Sequence, residues 1–491
     1  MKTLKAIILL CAVALVSTSC FKDNDDSPIT TIDINDFVWK GMNSWYFWQT
    51  EVSNLSDSKD DNFSEYQAFL NQYSNPEEFF NSLRFQYGTT DRFSWFIEDY
   101  IQQELEFQGV TKSHGMKYQP VQINNNGDII IYVRYVADNS PASAASIKRG
   151  DIINAINGTV LNTSNFNTVI NSLFEDTVTL SFVSENAGTL TATESKTITA
   201  TILSENPIYL KKIFNNINNK KVGYLVYNAF RSSYNDELNE AFLSFKNENI
   251  DELILDLRLN GGGSVATSAY LASMIYADAG VDRFANLTFN NKHSAEDGFY
   301  NFENTLNVFN TNSEKIGEQT INRLTTLNRL YVLTSSSTAS ASEMVINGLK
   351  PYMTSIKLVG TTTYGKNVGS ITLYDSPKSD YQNKASANPN HNYAMQPIVF
   401  QIFNKNGESD YTQGFSPDIE VKEYEYWNSI LPFGDENEVV LKAALDNIKG
   451  LTGKATPSKK QPEFAKKLDF TIPNQKFETE MYIEKDYFEK E

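Results

Sequence analysis

Apolar residues recur at spacings of three and four across residues 33–105, as in Phe79 with Leu83 and Phe93 with Phe96, and this predicts amphipathic helices. The aromatic residues of that stretch, among them Trp39, Trp45, Tyr46, Phe80 and Trp95, read as core. Asn75-Pro76-Glu77-Glu78 reads as a helix start, with proline at the first position and carboxylates in the first turn. From about 107 to 203 the pattern changes to short β-rich runs at 121–124, 129–136, 151–157, 178–183 and 197–202, with helical spacing only at 164–174. From about 206 to 446, apolar strands at 221–227, 252–257, 330–333 and 356–359 alternate with helices at 234–245 and 264–276. This is a βαβ pattern and predicts a mixed or mostly parallel sheet. Residues 282–328 are polar and expected to be irregular. The Lys-rich tail beyond Gly450 is expected to be loosely attached.

The fold class expected is therefore multidomain α/β. A helical N-terminal unit (33–105) precedes a β-rich domain (106–204), an α/β core (205–446) and a charged tail (447–491). A length of 491 residues is enough for about three such units. The formal net charge of -18 removes the basic footprint of a nucleic-acid binder.

The N-terminus changes the picture further. Lys2 and Lys5, an apolar run over 6–16 and small residues up to Cys20 form an export signal. That run is too short to cross a hydrocarbon layer of roughly 30 Å as a helix. Val16-Ser17-Thr18-Ser19-Cys20 resembles the lipobox of bacterial lipoproteins, which implies cleavage after residue 19 and lipidation of Cys20. The other cysteine, Cys11, lies in the removed segment, so the mature chain has no partner for an internal disulfide. Residues 20–32 read as an acidic linker, and their acidic residues resemble a surface-export signal of some Gram-negative lipoproteins. The expected location is the bacterial cell envelope, at the outer membrane and facing either side.

Within the β-rich domain, Ser140-Pro141-Ala142, Gly150-Asp151 and Ile153-Asn154-Ala155-Ile156-Asn157-Gly158 closely resemble a PDZ domain. The resemblance implies a groove in which a chain end adds as a strand beside a helix, its carboxylate held by a glycine loop. That peptide-binding loop would be His114, Gly115 and Met116, following Ser113.

Chemistry concentrates in the core. The run from Ser335 to Met344 follows a strand and precedes a helical pattern, and it reads either as a helix cap or as a nucleophile loop. A nucleophilic serine needs a base. Only three histidines exist, none beside a recognisable serine motif, and no Gly-x-Ser-x-Gly elbow or His-Glu-x-x-His occurs. A lysine can serve instead when burial disfavours its charged form. Lys366 ends Gly360-Thr361-Thr362-Thr363-Tyr364-Gly365-Lys366, which also spells the start of a P-loop. Asn367 then stands where Ser or Thr would hold Mg²⁺, and a loop and strand follow rather than a helix, which argues against a nucleotide.

Asp256-Leu257-Arg258-Leu259-Asn260-Gly261-Gly262-Gly263, Ser340-Ala341-Ser342-Glu343 and Thr363-Tyr364-Gly365-Lys366 resemble the signature blocks of the C-terminal processing peptidases, the S41 serine peptidases. Two flanking stretches, 223–227 and 414–419, are also similar to the family pattern. The resemblance implies Ser340 as nucleophile and Lys366 as base, 26 positions apart. It also implies an oxyanion hole of backbone N–H groups from Ala341, Gly261 and Gly262, with Asp256 and Arg258 orienting the turn. Many members carry Gln four residues after the lysine, and here that position is Ser370, read as a supporting residue. Together these imply a lipid-anchored serine endopeptidase acting on protein or peptide substrates, without metal, cofactor, nucleotide or nucleic acid. The alternative is a binding lipoprotein on a peptidase scaffold.

Overall fold

A computed structural model of the chain describes residues 29–451 except 281, 311–313, 328 and 354, together with 462–470, 479–484 and 487–488. The export signal and Cys20 lie outside the described residues.

The N-terminal unit holds α1 (Thr31–Trp45), α2 (Phe63–Leu70), α3 (Pro76–Ser82), β1 (Trp95–Ile97) and α4 (Tyr100–Phe107). A reciprocal cap starts α1, since the Asp33 carboxylate accepts the Thr30 N–H at 2.8 Å while the Thr30 hydroxyl faces the Asp33 N–H. Asn75 caps α3 ahead of Pro76, as the sequence pattern predicts. The helical spacing at Phe93 and Phe96 does not become a helix. Residues 95–97 are buried on both faces and pair antiparallel with 394–396, so a strand partner from far along the chain overrides the local period.

The β-rich domain comprises β2 (Val110–Ser113), β3 (Met116–Gln122), β4 (Ile129–Val136), α5 (Pro141–Ala144), β5 (Ile152–Ile156), β6 (Thr159–Val160), α6 (Phe166–Val169), β7 (Thr177–Asn186), β8 (Thr189–Thr199) and β9 (Thr201–Ser204). It has its own core, including Ile131, Val133, Ile153, Phe166 and Leu180. Asn157 and Gly158, both at positive φ (48° and 79°), form the two-residue turn between β5 and β6. On the outer face of the β7–β8 ribbon, Thr177 bonds Thr199 and Thr179 bonds Thr197, which accounts for its polar alternation.

In the core, β10 (Ile208–Ile217), β11 (Lys220–Tyr227), α7 (Asn235–Glu248), β12 (Glu252–Asp256), β13 (Gly263–Ser264) and α8 (Val265–Ile275) lead to β14 (Arg283–Phe289), β15 (Gly298–Asn301), β16 (Thr305–Phe309) and β17 (Lys315–Thr320). Next come β18 (Arg329–Thr334), α9 (Ala341–Leu349), β19 (Ile356–Gly360), β20 (Val368–Ser370), β21 (Leu373–Tyr374), β22 (Ala394–Gln396), β23 (Ile398–Asn404), β24 (Ile419–Glu420) and α10 (Val439–Ile448). The main sheet runs β10-β11-β12-β18-β19-β24, antiparallel at its first pair and parallel at the rest. Leu225 and Tyr227 face the layer that contains residues of α7, α8 and α9, whereas Tyr224 and Val226 face α10. Cover on both faces explains why these strands read as continuous apolar runs.

Two expectations are corrected here. Residues 282–328 are not irregular, because β14 and β15 join a second sheet and β16–β17 form a hairpin. Strand β17 is exposed throughout, so its composition looks like a loop although its backbone is paired. Nor are the described parts of the tail loosely attached. Its residues 466–467 (β25) pair with β3, and 481–482 (β26) lie between β13 and β20.

A buried charge network joins the β-rich domain to the core. Arg258 bonds Asp256 at 2.7 Å, Glu438 at 2.9 Å and Glu423 at 3.1 Å, and Arg149 of the β-rich domain also bonds both Glu423 and Glu438. Burial opposes charge on Glu423, but Arg149, Arg258 and Arg134 outweigh it and hold its carboxyl well below the usual carboxylate range. With the folded value lowered, the network stabilises fully above the unfolded carboxyl value of about 4.3 and loses that contribution as pH falls from there toward the folded value. Glu423→Gln is expected to cost about 3–5 kcal/mol in urea unfolding at neutral pH, because it strands buried guanidinium charge. The gap to wild type should narrow in acid, and a gap independent of pH would show that charge is not its source.

Candidate active site

The Ser/Thr-rich run after β18 is mostly stitching. Thr338 Oγ1 donates to Leu257 O at 2.8 Å, Ser335 Oγ to Arg258 O at 2.6 Å and Ser342 Oγ to Asn260 O at 3.1 Å. These bonds seat the run on the turn that follows β12. Ser340 is different. It immediately precedes α9, is fully buried, and has φ 64° and ψ −119°, a conformation that costs a non-glycine residue on the order of 1–3 kcal/mol. Its Oγ donates to Glu480 O at 3.0 Å.

The loop from β19 to β20 carries Lys366. Gly365, at φ 91°, passes so close to Thr412 that a Cβ would lie 2.3 Å from its carbonyl oxygen. The Lys366 side chain is 1 % exposed, and its Nζ donates to Glu480 Oε1 at 3.0 Å and to Thr479 O at 3.0 Å. It lies 5.1 Å from the Phe93 ring centroid. Strand β20 follows, so the Gly360–Lys366 segment is not continued by the helix a P-loop requires.

One buried carboxylate joins the two loops. Glu343 accepts from Ser340 N at 3.0 Å, Thr363 Oγ1 at 2.5 Å, Gly365 N at 2.8 Å and Lys366 N at 2.8 Å. Burial pushes its carboxyl up, while Thr363 and the three amides act in the opposite sense. The Ser-x-x-Glu spacing held this signal, although on sequence alone it reads as a helix cap.

The glycine turn sits against the serine. A Cβ on Gly262 would fall 2.7 Å from Ser340 Cβ, and one on Gly263 would fall 2.1 Å from Phe230 O. Among the amides expected for an oxyanion hole, Gly262 N donates to Asn260 Oδ1 at 2.9 Å. Gly263 N is the donor to Glu480 O, at 2.7 Å. Gly261 lines a cavity of about 190 Å³ shared with Ser113, Met116, Phe230 and Gly263, and Ala341 is the buried first residue of α9.

Ser370 Oγ donates to Glu480 Oε1 at 2.6 Å and accepts from Gln396 Nε2 at 2.9 Å. A glutamine therefore reaches the site from β22. Its own Oε1 is held by Gln103 Nε2 at 2.9 Å and Thr372 Oγ1 at 2.7 Å. Neither Gln396 nor Glu480 could be found by local spacing, since each arrives on a distant strand or tail. Asp256 and Arg258 lie in the charge network described above, and Asp256 also accepts from Tyr224 OH at 2.7 Å. In the β-rich domain, His114 Nε2 lies 3.2 Å from Asp176 O, and burial pushes its imidazole down. Gly115 N donates to Ser113 Oγ at 2.9 Å, and Met116 opens β3.

This arrangement of Ser340, Lys366 and a peptide carbonyl on a backbone N–H suits acyl transfer at a peptide bond. The profile of peptidase family S41 matches residues 221–421, and that of the peptidase S41 N-terminal domain matches 33–95. A carboxyl-terminal-processing protease of Picosynechococcus is 25% identical over 313 residues, covering 59% of this chain and 67% of that one. The chloroplastic carboxyl-terminal-processing peptidase 2 of Arabidopsis thaliana is 23% identical over 272 residues, covering 52% of this chain and 48% of its own length. A solved S41 protease from Bacteroides fragilis superposes with a TM-score of 0.64 at 26% identity, over 85% of this chain and 97% of that one. Profile matches to both the N-terminal domain and the core, with a solved relative of the same fold across most of the chain, place this protein in peptidase family S41.

Proposed function

We propose that the chain is a lipid-anchored serine endopeptidase that hydrolyses peptide bonds of exported proteins through Ser340 and Lys366. One observation carries the reading. Two buried side chains from separate loops engage a single residue, Glu480, whose carbonyl also takes the Gly263 N–H. With a substrate peptide in that place, Ser340 Oγ attacks the carbonyl carbon while the Lys366 amine takes its proton. The oxyanion is held by Gly263 N–H, with the Ala341 N–H at the start of α9 as second donor. Lys366 then protonates the leaving amine, and water completes hydrolysis by the reverse proton path. Glu343 keeps both loops in register, and Gln396 positions Ser370 beside the base. No metal or cofactor enters these steps.

In the same reading, Cys20 carries the lipid that holds the protein at the cell envelope, and the PDZ-like domain, with His114, Gly115 and Met116, recruits a substrate chain end. The Lys366–Glu480 ion pair favours a second reading, a scaffold that binds chain ends without cutting them.

Cleavage of an unfolded protein by the full chain is expected to fall about a thousandfold or more in Ser340→Ala and in Lys366→Ala. Labelling by a serine-reactive probe should disappear in Ser340→Ala. Chain-end binding by a protein that neither labels nor cleaves would favour the scaffold instead. Gln396→Leu removes the hydrogen bond to Ser370, of about 1–1.5 kcal/mol, together with the bonds from Gln103 and Thr372 that hold Gln396 in place, so kcat should drop at least about tenfold with KM little changed. A change confined to KM would contradict its positioning role. Cys20→Ser should move the protein from the detergent phase to the aqueous phase in a partition assay.

A further inference from the structure

The tail is the part of the molecule that the peptidase reading leaves unused, and it occupies both places where a substrate peptide would bind. Strand β26 runs parallel to β13 and to β20, pairing Gly263 with Met481 and Ser370 with Tyr482. Met481 is fully buried, and the Tyr482 ring stacks on Phe107 with centroids 4.5 Å apart. The Glu480 carboxylate meets three donors from three parts of the fold: Lys366 Nζ at 3.0 Å, Ser370 Oγ at 2.6 Å and Trp95 Nε1 at 3.1 Å. Upstream, β25 extends the β-rich domain by pairing Lys466 with Gln122 and Lys467 with Val121. Leu468 N donates to Pro120 O at 3.2 Å, and Gln119 Nε2 donates to Leu468 O at 2.9 Å. Phe470 stacks on Tyr118 and Phe174 with centroids 5.8 and 6.4 Å apart. The segment thus adds as a strand at the sheet edge and also fills the cleft, which are the two contacts expected of a bound peptide.

Resting on the peptidase reading above, we infer that residues 466–470 and 479–484 form a resident inhibitor of the chain's own cleft, seated as a substrate would be but not cut. The geometry explains why it survives. An ammonium ion-paired with a buried carboxylate is not a proton acceptor, so Glu480 disables the base it touches. The Ser340 hydroxyl donates to the Glu480 carbonyl oxygen, so its proton is directed at the group it would have to attack and not at the lysine. Gly263 N–H is occupied by the same oxygen. A substrate must displace the tail before nucleophile, base and oxyanion donor are all available together.

The test uses the full chain, a fluorescently labelled unfolded protein and a serine-reactive probe. Glu480→Lys places like charge against Lys366 and is expected to raise both cleavage and Ser340 labelling at least tenfold over wild type. A synthetic peptide of residues 476–484, added in trans, should bring that rate back toward wild type, and the same peptide carrying Lys at the Glu480 position should not. Glu480→Gln removes the charge while keeping the shape, and provides a second, milder release should Glu480→Lys fold poorly. In hydrogen exchange, the amides of 480–483 should lose protection in either variant. Equal cleavage and labelling by wild type and both variants, with Ser340→Ala silent, would overturn the inhibition and leave the peptidase reading standing. Absence of cleavage and labelling in every variant, with exchange showing the tail released, would overturn the peptidase reading itself and the inhibition with it.

Discussion

The site depends on one buried carboxylate. Glu343 sits in the first turn of α9, yet three of its four bonds go to the loop that carries Lys366. The two loops leave β18 and β19, adjacent strands of a parallel sheet, and a further bond, Tyr364 N to Thr338 O at 2.9 Å, also spans them. A carboxylate accepting four donors away from water gives that joint a defined geometry, since any shift of either loop leaves a buried oxygen or amide unpaired. The unfavourable backbone of Ser340 is tolerated in this setting because its own N–H is one of the four donors.

The sheet beneath supplies the rest of the frame. Its central strands are apolar on both faces, so their order and register are strongly specified, and the chain crosses from one loop to the next at fixed spacing. The same rigidity reaches the β-rich domain through Arg258, Glu423, Glu438 and Arg149, which link the end of β12 to the turn before β5. The glycine turn after β12 and the β-rich domain are therefore mechanically connected by side chains rather than by the linker alone.

What was legible in the sequence follows from this physics. The apolar runs of β11, β12, β18 and β19 stand out because both faces are covered, and Ser340 and Lys366 stand out because their motifs are local. Phe93 and Phe96 misled because strand pairing with residues 394–396 is invisible to a local period. The hairpin of β16 and β17 was hidden because its second strand is exposed throughout. Gln396 brings an amide to Ser370 from another strand, and no spacing rule reaches across that distance. The tail was hardest to read. Its docking rests on short backbone ladders, one ion pair and the packing of a few residues such as Phe470, Met481 and Tyr482, too few to stand out in a Lys-rich composition.

Because the tail belongs to the same polypeptide as the cleft, its supply does not depend on how much protein is made. A tethered ligand of this kind is present at an effective concentration on the order of millimolar, set by the connecting chain and not by the solution. Diluting the protein leaves it seated. A free peptide meeting the cleft at ordinary cellular levels competes at a disadvantage, whereas a partner that grips the β3 edge and the cleft at once meets the tail on equal terms. On the inhibition proposed above, a ligand that holds both places outcompetes a short diffusing fragment by arithmetic rather than by shape.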